Sequence, residues 1–121
     1  MARFADWIAS SAARAPDKPA LVCEGRTLSF AQLDARVRTI AAALAGAGVR
    51  RGDRVAWLDL ASPDLIATLF ACARIGAVFM PLNWRLTPTE HRAMLAQCPA
   101  TLLLAGPTFA AASDAVAGPG T

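Results

Sequence analysis

Apolar residues recur at helical spacing in several stretches of the chain, and most clearly after Ser29. In this stretch the apolar positions lie three or four residues apart, which predicts an amphipathic helix. They are Phe30, Leu33, Val37, Ile40, Ala41 and Leu44. Ser29 and Gln32 have the spacing of a capping box, which starts a helix, and Gly46 and Gly48 offer a stop.

A second helix and a hairpin are predicted before this one. Residues 4–13 carry apolar side chains at positions i, i+3 and i+4, so one face of the predicted helix is apolar, and Pro16 ends it. Residues 20–23 and 27–28 have extended patterns and flank a turn at residues 24–26, which predicts a small structural hairpin.

Three short apolar runs after this region predict strands, and helices are predicted between them. The runs are residues 55–58, 77–80 and 101–104. Ser62 is expected to cap a helix that starts at Pro63 and stops at Gly76, and Thr87 and Glu90 form a second capping box. Strands that alternate with helices favour a parallel sheet, and we expect the first two strands to be buried.

The predicted fold class is therefore α/β. The chain would be an incomplete three-layer unit with parallel βαβαβ strands, an N-terminal helix and a small hairpin. We expect an ordered core at residues 4–105, and a weakly structured tail at residues 106–121 with a weak helix at Phe109–Val116. Open sheet edges would make the isolated chain sticky or dimeric.

Composition and charge narrow the function classes. The hydrophobic fraction is 55% and the charged fraction 17%, and the net charge of +3 comes from arginines spread singly along the chain, so we expect no nucleic-acid partner. The three cysteines, Cys23, Cys72 and Cys98, suit buried, reduced thiols in a cytoplasmic protein. We expect no transmembrane segment, because the most membrane-like stretch, Leu65–Leu82, has Arg74 at its middle.

Candidate site residues lie where the predicted parallel strands end. Asp59 follows the first strand, and Asn83, Trp84 and Arg85 follow the second. Ligands of open α/β sheets bind at the carboxyl ends of the strands, so Asp59, Asn83 and Arg85 could hydrogen-bond a substrate. We favour structural roles, with Asp59 as a polar loop residue and Trp84 packed on the core. The single histidine, His91, has no nucleophile motif nearby, and we interpret it as exposed or capping.

Other motifs carry less weight. Phosphate loops, glycine fingerprints after a strand and metal-ligand spacings are absent from the sequence. The tripeptide Arg51-Gly52-Asp53 is interpreted as a turn that enters a strand. On these grounds we assign no catalytic, cofactor-binding or metal-binding residue.

The segment from Asp17 to Leu95 resembles the amino-terminal region of the adenylate-forming superfamily, which includes acyl-CoA synthetases, luciferases and adenylation domains of peptide synthetases. The resemblance lies in three blocks in the right order, beginning with "PDKPALVCEGRTLSFAQLDARVRTIAAAL". They continue with "GVRRGDRVAWL" and "FACARIGAVFMPLNWRLTPTE". Asn83 after Pro81 and Leu82 is similar to fatty-acyl and aryl CoA ligases. Ala61 departs from the asparagine that many relatives have before the Ser-Pro pair.

The resemblance implies an enzyme that joins a carboxylic acid to coenzyme A, an activity that we do not expect of this chain alone. ATP, Mg²⁺ and CoA would serve the parent enzyme, which would form an acyl-adenylate and pyrophosphate before thioester formation on a fatty or aromatic acid. The family's phosphate, magnesium and ribose groups lie downstream of the matched region, and the only lysine here is Lys18. We therefore expect a scaffold portion that is inactive alone and binds none of these molecules.

Two other functions are compatible with the pattern. The first is a stand-alone interaction or regulatory module derived from this fold, which would bind a protein partner through its exposed sheet edge. The second is a small nucleotide-binding domain of flavodoxin-like shape, and the missing phosphate loop argues against it.

Overall fold

The structure is a computed structural model that describes residues 4–106. A short 3₁₀ turn at Phe4–Asp6 precedes four helices: α1 Trp7–Arg14, α2 Phe30–Gly46, α3 Pro63–Ile75 and α4 Pro88–Gln97. The strands are β1 Pro19–Cys23, β2 Arg26–Ser29, β3 Arg54–Leu58, β4 Val78–Pro81 and β5 Leu102–Ala105. The predicted helix at Phe109–Val116 lies outside the described residues.

The strands form two sheets, which confirms the predicted α/β class. β1 and β2 pair antiparallel as a hairpin, and β3 lies between β4 and β5 in a parallel sheet of order β4-β3-β5. Successive side chains of a strand point to opposite faces. Accordingly, Val55 packs with residues of α2 and α3, whereas Ala56 and Leu58 pack with Leu95 of α4. The helices therefore cover both faces of the parallel sheet.

Both predicted capping boxes are confirmed. The Ser29 hydroxyl accepts from the Gln32 N–H at 3.2 Å, and the Gln32 side chain accepts from the Ser29 N–H at 2.9 Å. Thr87 and Glu90 make the equivalent pair at 3.2 and 3.1 Å. Ser62 does occupy the N-cap position of α3, but its side chain makes no capping hydrogen bond in the described part of the chain, so the expected role is wrong.

Ion pairs and apolar packing join α2 to α3. The guanidinium of Arg74 on α3 contacts the Asp34 carboxylate on α2, and both side chains are more than four-fifths buried. Arg36 and Asp64 form a second, more exposed pair between the same helices. Beneath them, a core cluster draws on α1, α2, β3 and α3. α2, the helix that the sequence predicts most clearly, is thus fixed on both its polar and its apolar sides.

Two burial predictions are wrong, for β4 and for the cysteines, and the apolar face of the first helix is only partly covered. β4 is an edge strand with Val78 50% exposed, because β3 is the central strand of the sheet. Trp7 is 51% exposed, although its ring lies 5.7 Å from that of Phe70. Of the cysteines, Cys72 is buried, and burial raises the pKa of its thiol to about 11, whereas Cys98 at the end of α4 is exposed.

The Arg51-Gly52-Asp53 tripeptide is a turn, as predicted. Gly52 has a φ of +87° and donates its N–H to the Gly76 carbonyl at 2.8 Å, so the turn before β3 is tied to the end of α3. The membrane-like stretch is α3 followed by β4, as expected. Within residues 4–106, no helix is long and apolar enough to cross a membrane.

Candidate functional site at the carboxyl edge of the parallel sheet

The three parallel strands end at one edge of the sheet, and the candidate residues follow them there. Asp59 comes directly after β3, Asn83 follows β4, and Gly106 follows β5. In open α/β sheets this edge is the usual place for ligands. The fold therefore places the polar residues singled out by the sequence at the edge where open α/β sheets usually bind ligands.

Asp59 is held in one orientation by its neighbours. Its Oδ1 accepts a hydrogen bond from the Leu60 N–H at 2.8 Å, and its carboxylate lies against Gly106. A Cβ built on Gly106 would lie 2.2 Å from Oδ2 of Asp59, so only glycine fits at this position without a shift. The Gly106 N–H donates to the Leu58 carbonyl at 3.2 Å. Sequence reasoning did not identify Gly106, because its role depends on the approach of β3 and β5.

A cleft of about 760 Å³ opens beside Asp59, between α2 and the end of the sheet. Apolar side chains such as Ile40, Trp57 and Leu104 line most of it. The Arg36–Asp64 pair lies at its wall, and the hydrogen bond from Arg36 holds the pKa of the Asp64 carboxyl below its ordinary value. The cleft is mainly an apolar groove whose carboxylates are Asp59 and the paired Asp64, and it falls in the size range of small-molecule sites.

The residues after β4 form a tight turn. The Asn83 carbonyl accepts from the Leu86 N–H at 3.1 Å, and Oδ1 of Asn83 accepts from the Arg85 N–H at 3.0 Å. The guanidinium of Arg85 lies 5.2 Å from the ring centroid of Trp84, a cation–π distance. Trp84 is 42% exposed, so the expectation that it packs on the core is wrong. The turn presents its side chains at the surface.

His91 is the clearest correction at this edge. It is 2% exposed, and its Nε2 lies 2.6 Å from the Asn83 carbonyl oxygen, so it is neither exposed nor a cap. One sequence signal could have found it. Leu86 and His91 occupy the positions before the N-cap and four residues after it, which pack together in a hydrophobic staple. That spacing predicts that a residue at position 91 faces inward.

The edge therefore contains two separate groups of residues. Asp59 and Gly106 are in contact beside the cleft, whereas Asn83, Trp84 and Arg85 are not among the residues that line it. Among residues 4–106, no group of three His, Cys, Asp or Glu side chains could hold a metal ion. Asp64 is paired with Arg36, and Asp59 lies against Gly106, so these carboxylates do not fit a magnesium site.

Comparison with known proteins gives one family. The family model of the AMP-binding enzyme matches residues 8–119. The indoleacetate–CoA ligase of Aromatoleum aromaticum is 49% identical over 112 residues, which cover 93% of this chain and 22% of that protein. The feruloyl-CoA synthase of an Amycolatopsis species is 41% identical over 111 residues, with 92% and 23% covered.

The fold gives the same result. A solved structure of a fatty acyl CoA synthetase from Mycobacterium tuberculosis superimposes with a TM-score of 0.88 at 27% identity, and the match covers 96% of this chain and 24% of that one. The chain spans about a fifth of the length of the curated relatives it matches.

Proposed function

We propose, since this chain belongs to the family of AMP-binding enzymes, that it is the amino-terminal scaffold portion of an ATP-dependent acyl-CoA ligase. The observation that carries the proposal is a match to CoA ligases along nearly all of this chain, at up to 49% identity. In the proposed reaction, a carboxylate oxygen attacks the α-phosphorus of ATP and pyrophosphate leaves. The thiol of CoA then attacks the acyl carbon of the adenylate, and AMP leaves.

The proposed substrate is an aromatic or fatty acid, and we place aromatic acids first. The two relatives above are named for indoleacetate and ferulate, which are both aromatic acids, whereas the M. tuberculosis structure is named for fatty acyl groups. A mainly apolar cleft beside Asp59 is compatible with either class but does not distinguish them.

We further propose that the chain alone is inactive and binds neither ATP, Mg²⁺ nor CoA. Phosphoryl chemistry requires preorganised cationic and hydrogen-bonding groups around the phosphates. The only lysine of the sequence, Lys18, is exposed in the loop before β1, far along the chain from the strand ends. The residues at the carboxyl edge would then serve as a frame for groups supplied by the rest of the enzyme.

A pyrophosphate-release assay tests the activity. The full-length protein that carries this sequence would be given ATP, Mg²⁺, CoA and a panel of acids that includes indoleacetate, ferulate, benzoate and fatty acids of several lengths. We expect pyrophosphate release that depends on the acid, together with formation of its CoA thioester. Release without thioester would change the proposed acceptor, and no release with any acid would refute the ligase.

The 121-residue chain is the second arm of the same experiment. Calorimetric titration with ATP and Mg²⁺ is expected to give no saturable binding. Saturable binding with turnover would refute the scaffold role and would direct attention to Asn83 and Arg85. We also propose a cytoplasmic location, which is supported by three free thiols, and self-association through the open edges of β4 and β5, which sedimentation of the isolated chain would test.

A further inference from the structure

A buried histidine holds the turn that follows β4. The imidazole of His91 is 2% exposed, and the Asn83 carbonyl oxygen lies 2.6 Å from its Nε2. A carbonyl oxygen can only accept a hydrogen bond, so Nε2 of His91 carries a proton. Nδ1 is buried and has no partner among the described residues. A buried polar side chain with an unpaired nitrogen is less favourable than an apolar side chain of the same size, so packing alone does not explain a histidine at this position.

The acceptor of this bond is the first residue of the turn. The Asn83 carbonyl also accepts from the Leu86 N–H, and the Asn83 side chain accepts from the Arg85 N–H. Among residues 4–106, three hydrogen bonds therefore converge on Asn83, and the one from His91 comes from outside the turn. Leu82, just before the turn, is 4% exposed and donates its N–H to the Trp57 carbonyl at 2.8 Å. The start of the turn is thus fixed to the sheet through Leu82 and to α4 through Asn83.

The bond also sets how the turn meets α4. The Thr87–Glu90 capping box fixes the start of the helix, which places His91 on the first turn, facing back toward Asn83. Without the imidazole, the turn would keep its internal bonds but lose the bond from His91 that joins Asn83 to α4. Its orientation at the carboxyl edge could then vary.

We propose that His91 is a positioning residue of the enzyme, which acts through the Asn83 carbonyl to hold the turn at residues 83–86 in one orientation at the substrate edge of the sheet. This proposal rests on the proposed function, because the edge matters to catalysis only if substrates bind there. His91 itself touches no substrate in this account. Its contribution is to keep the side chains of the turn in one position at the carboxyl edge.

The spectroscopic arm of the test needs no activity. Imidazole ¹⁵N spectra of the 121-residue chain, and of the full-length protein, should show a proton on Nε2 of His91. An Nε2 without a proton would overturn the proposal. In His91→Leu, the backbone amide signals of Trp84, Arg85 and Leu86 should move or broaden, while those of α2 stay in place.

His91→Gln is the rescue variant. The amide nitrogen of a glutamine can take the place of Nε2 as donor to the Asn83 carbonyl, so the turn signals should return toward those of the wild type. Gln97→Ala is the matched control, because Gln97 is exposed at the far end of the same helix. If His91→Leu disturbs the turn no more than Gln97→Ala does, the proposed role is wrong.

The kinetic arm uses the full-length protein. Loss of one net hydrogen bond corresponds to a change of about 2- to 10-fold. We expect His91→Leu to raise the KM of at least one of the three substrates by such a factor with kcat nearly unchanged, and His91→Gln to restore it. Equal falls in kcat for all acids, or no change in any KM, would refute the positioning role. An inactive wild type would instead refute the ligase and leave the spectroscopic result standing.

Discussion

The two faces of the parallel sheet are held in different ways. On the side of α2 and α3, ten buried residues form one core cluster, whereas the cluster on the side of α4 has three. Of the ten residues of α4, all of which are described, only His91 is buried. Buried apolar side chains and ion pairs hold α2 and α3 on the first side. On the second side, α4 depends on its capping box and on the bond from His91 to Asn83.

This difference has a consequence for function. Regions with few buried apolar contacts open locally at low free-energy cost, and substrate-binding segments are drawn from such regions. The turn at residues 83–86 belongs to the side with the smaller cluster. The α2–α3 side would then be the more rigid side, and the α4 side would be the part of the carboxyl edge that opens more readily.

Truncation of a core leucine should give the largest difference between the two sides. Leu33 on α2 is 1% exposed, and Leu33→Ala should lower the free energy of unfolding by about 3 kcal/mol through lost transfer energy and a cavity. Leu95→Ala, on the half-buried leucine of α4, should cost only about 1 kcal/mol. Urea unfolding followed by circular dichroism measures both, and equal losses would remove the distinction between the two sides.

The buried ion pair should come next. Arg74→Met leaves the Asp34 carboxylate, which is 15% exposed, with only the more distant Arg38 at 3.6 Å. We expect a loss of about 2 kcal/mol, since an unpaired buried charge is costly. Arg36→Met is the matched control, because its pair with Asp64 is about half exposed and should contribute under about 1 kcal/mol. A larger loss from Arg36→Met than from Arg74→Met would mean that the exposed Arg36–Asp64 pair beside the cleft contributes more to the stability of the helix pair than the buried one does.

The features predicted well from sequence are those that depend on residues close together in the chain. Both capping boxes, the stop of α3 at Gly76 and the turn at Gly52 follow from local hydrogen bonds and from positive φ angles. Alternation of short apolar runs with helices was enough to predict the parallel sheet.

What was missed depends on contacts between distant segments. No local pattern specifies that β4 lies at the edge, so the exposure of Val78 could not be anticipated. At the candidate site, sequence position alone placed Asp59 and Asn83 at the strand ends. The fit of Gly106 against Asp59 required the approach of β3 and β5. His91 is the exception, because its bond to Asn83 joins residues eight positions apart and the staple spacing at the start of α4 indicates an inward-facing residue.

Removal of the two N-caps sharpens the comparison further. Thr87→Ala and Ser29→Ala each remove a capping box and should each cost about 1 kcal/mol. They should differ in where the loss appears. Because α4 buries little, Thr87→Ala should raise amide hydrogen exchange in α4 alone, whereas Ser29→Ala should raise exchange throughout the core. If exchange in α4 rises only together with the core, α4 is not an independently opening unit.

The smallest effect expected is a pH dependence confined to the α2–α3 side. The hydrogen bond from Arg36 lowers the pKa of Asp64 from its ordinary value of 3.8, against the opposing effect of burial. A carboxyl whose pKa is lower in the folded state stabilises the fold above its unfolded pKa, and this stabilisation is lost as the pH falls through the folded pKa. Because both side chains are about half exposed, we expect under about 1 kcal/mol.

This pH effect is measured as a difference between two proteins. The gap in unfolding free energy between the wild type and Arg36→Met should be largest near about pH 6 and should shrink toward about pH 2, as Asp64 becomes protonated. Asp64→Asn provides the control, since it removes the titrating group. The gap in unfolding free energy between Asp64→Asn and the double variant Asp64→Asn/Arg36→Met should not change with pH. A gap that persists at low pH would mean that Arg36 stabilises the helix pair through the packing of its methylene groups rather than through the charge of Asp64.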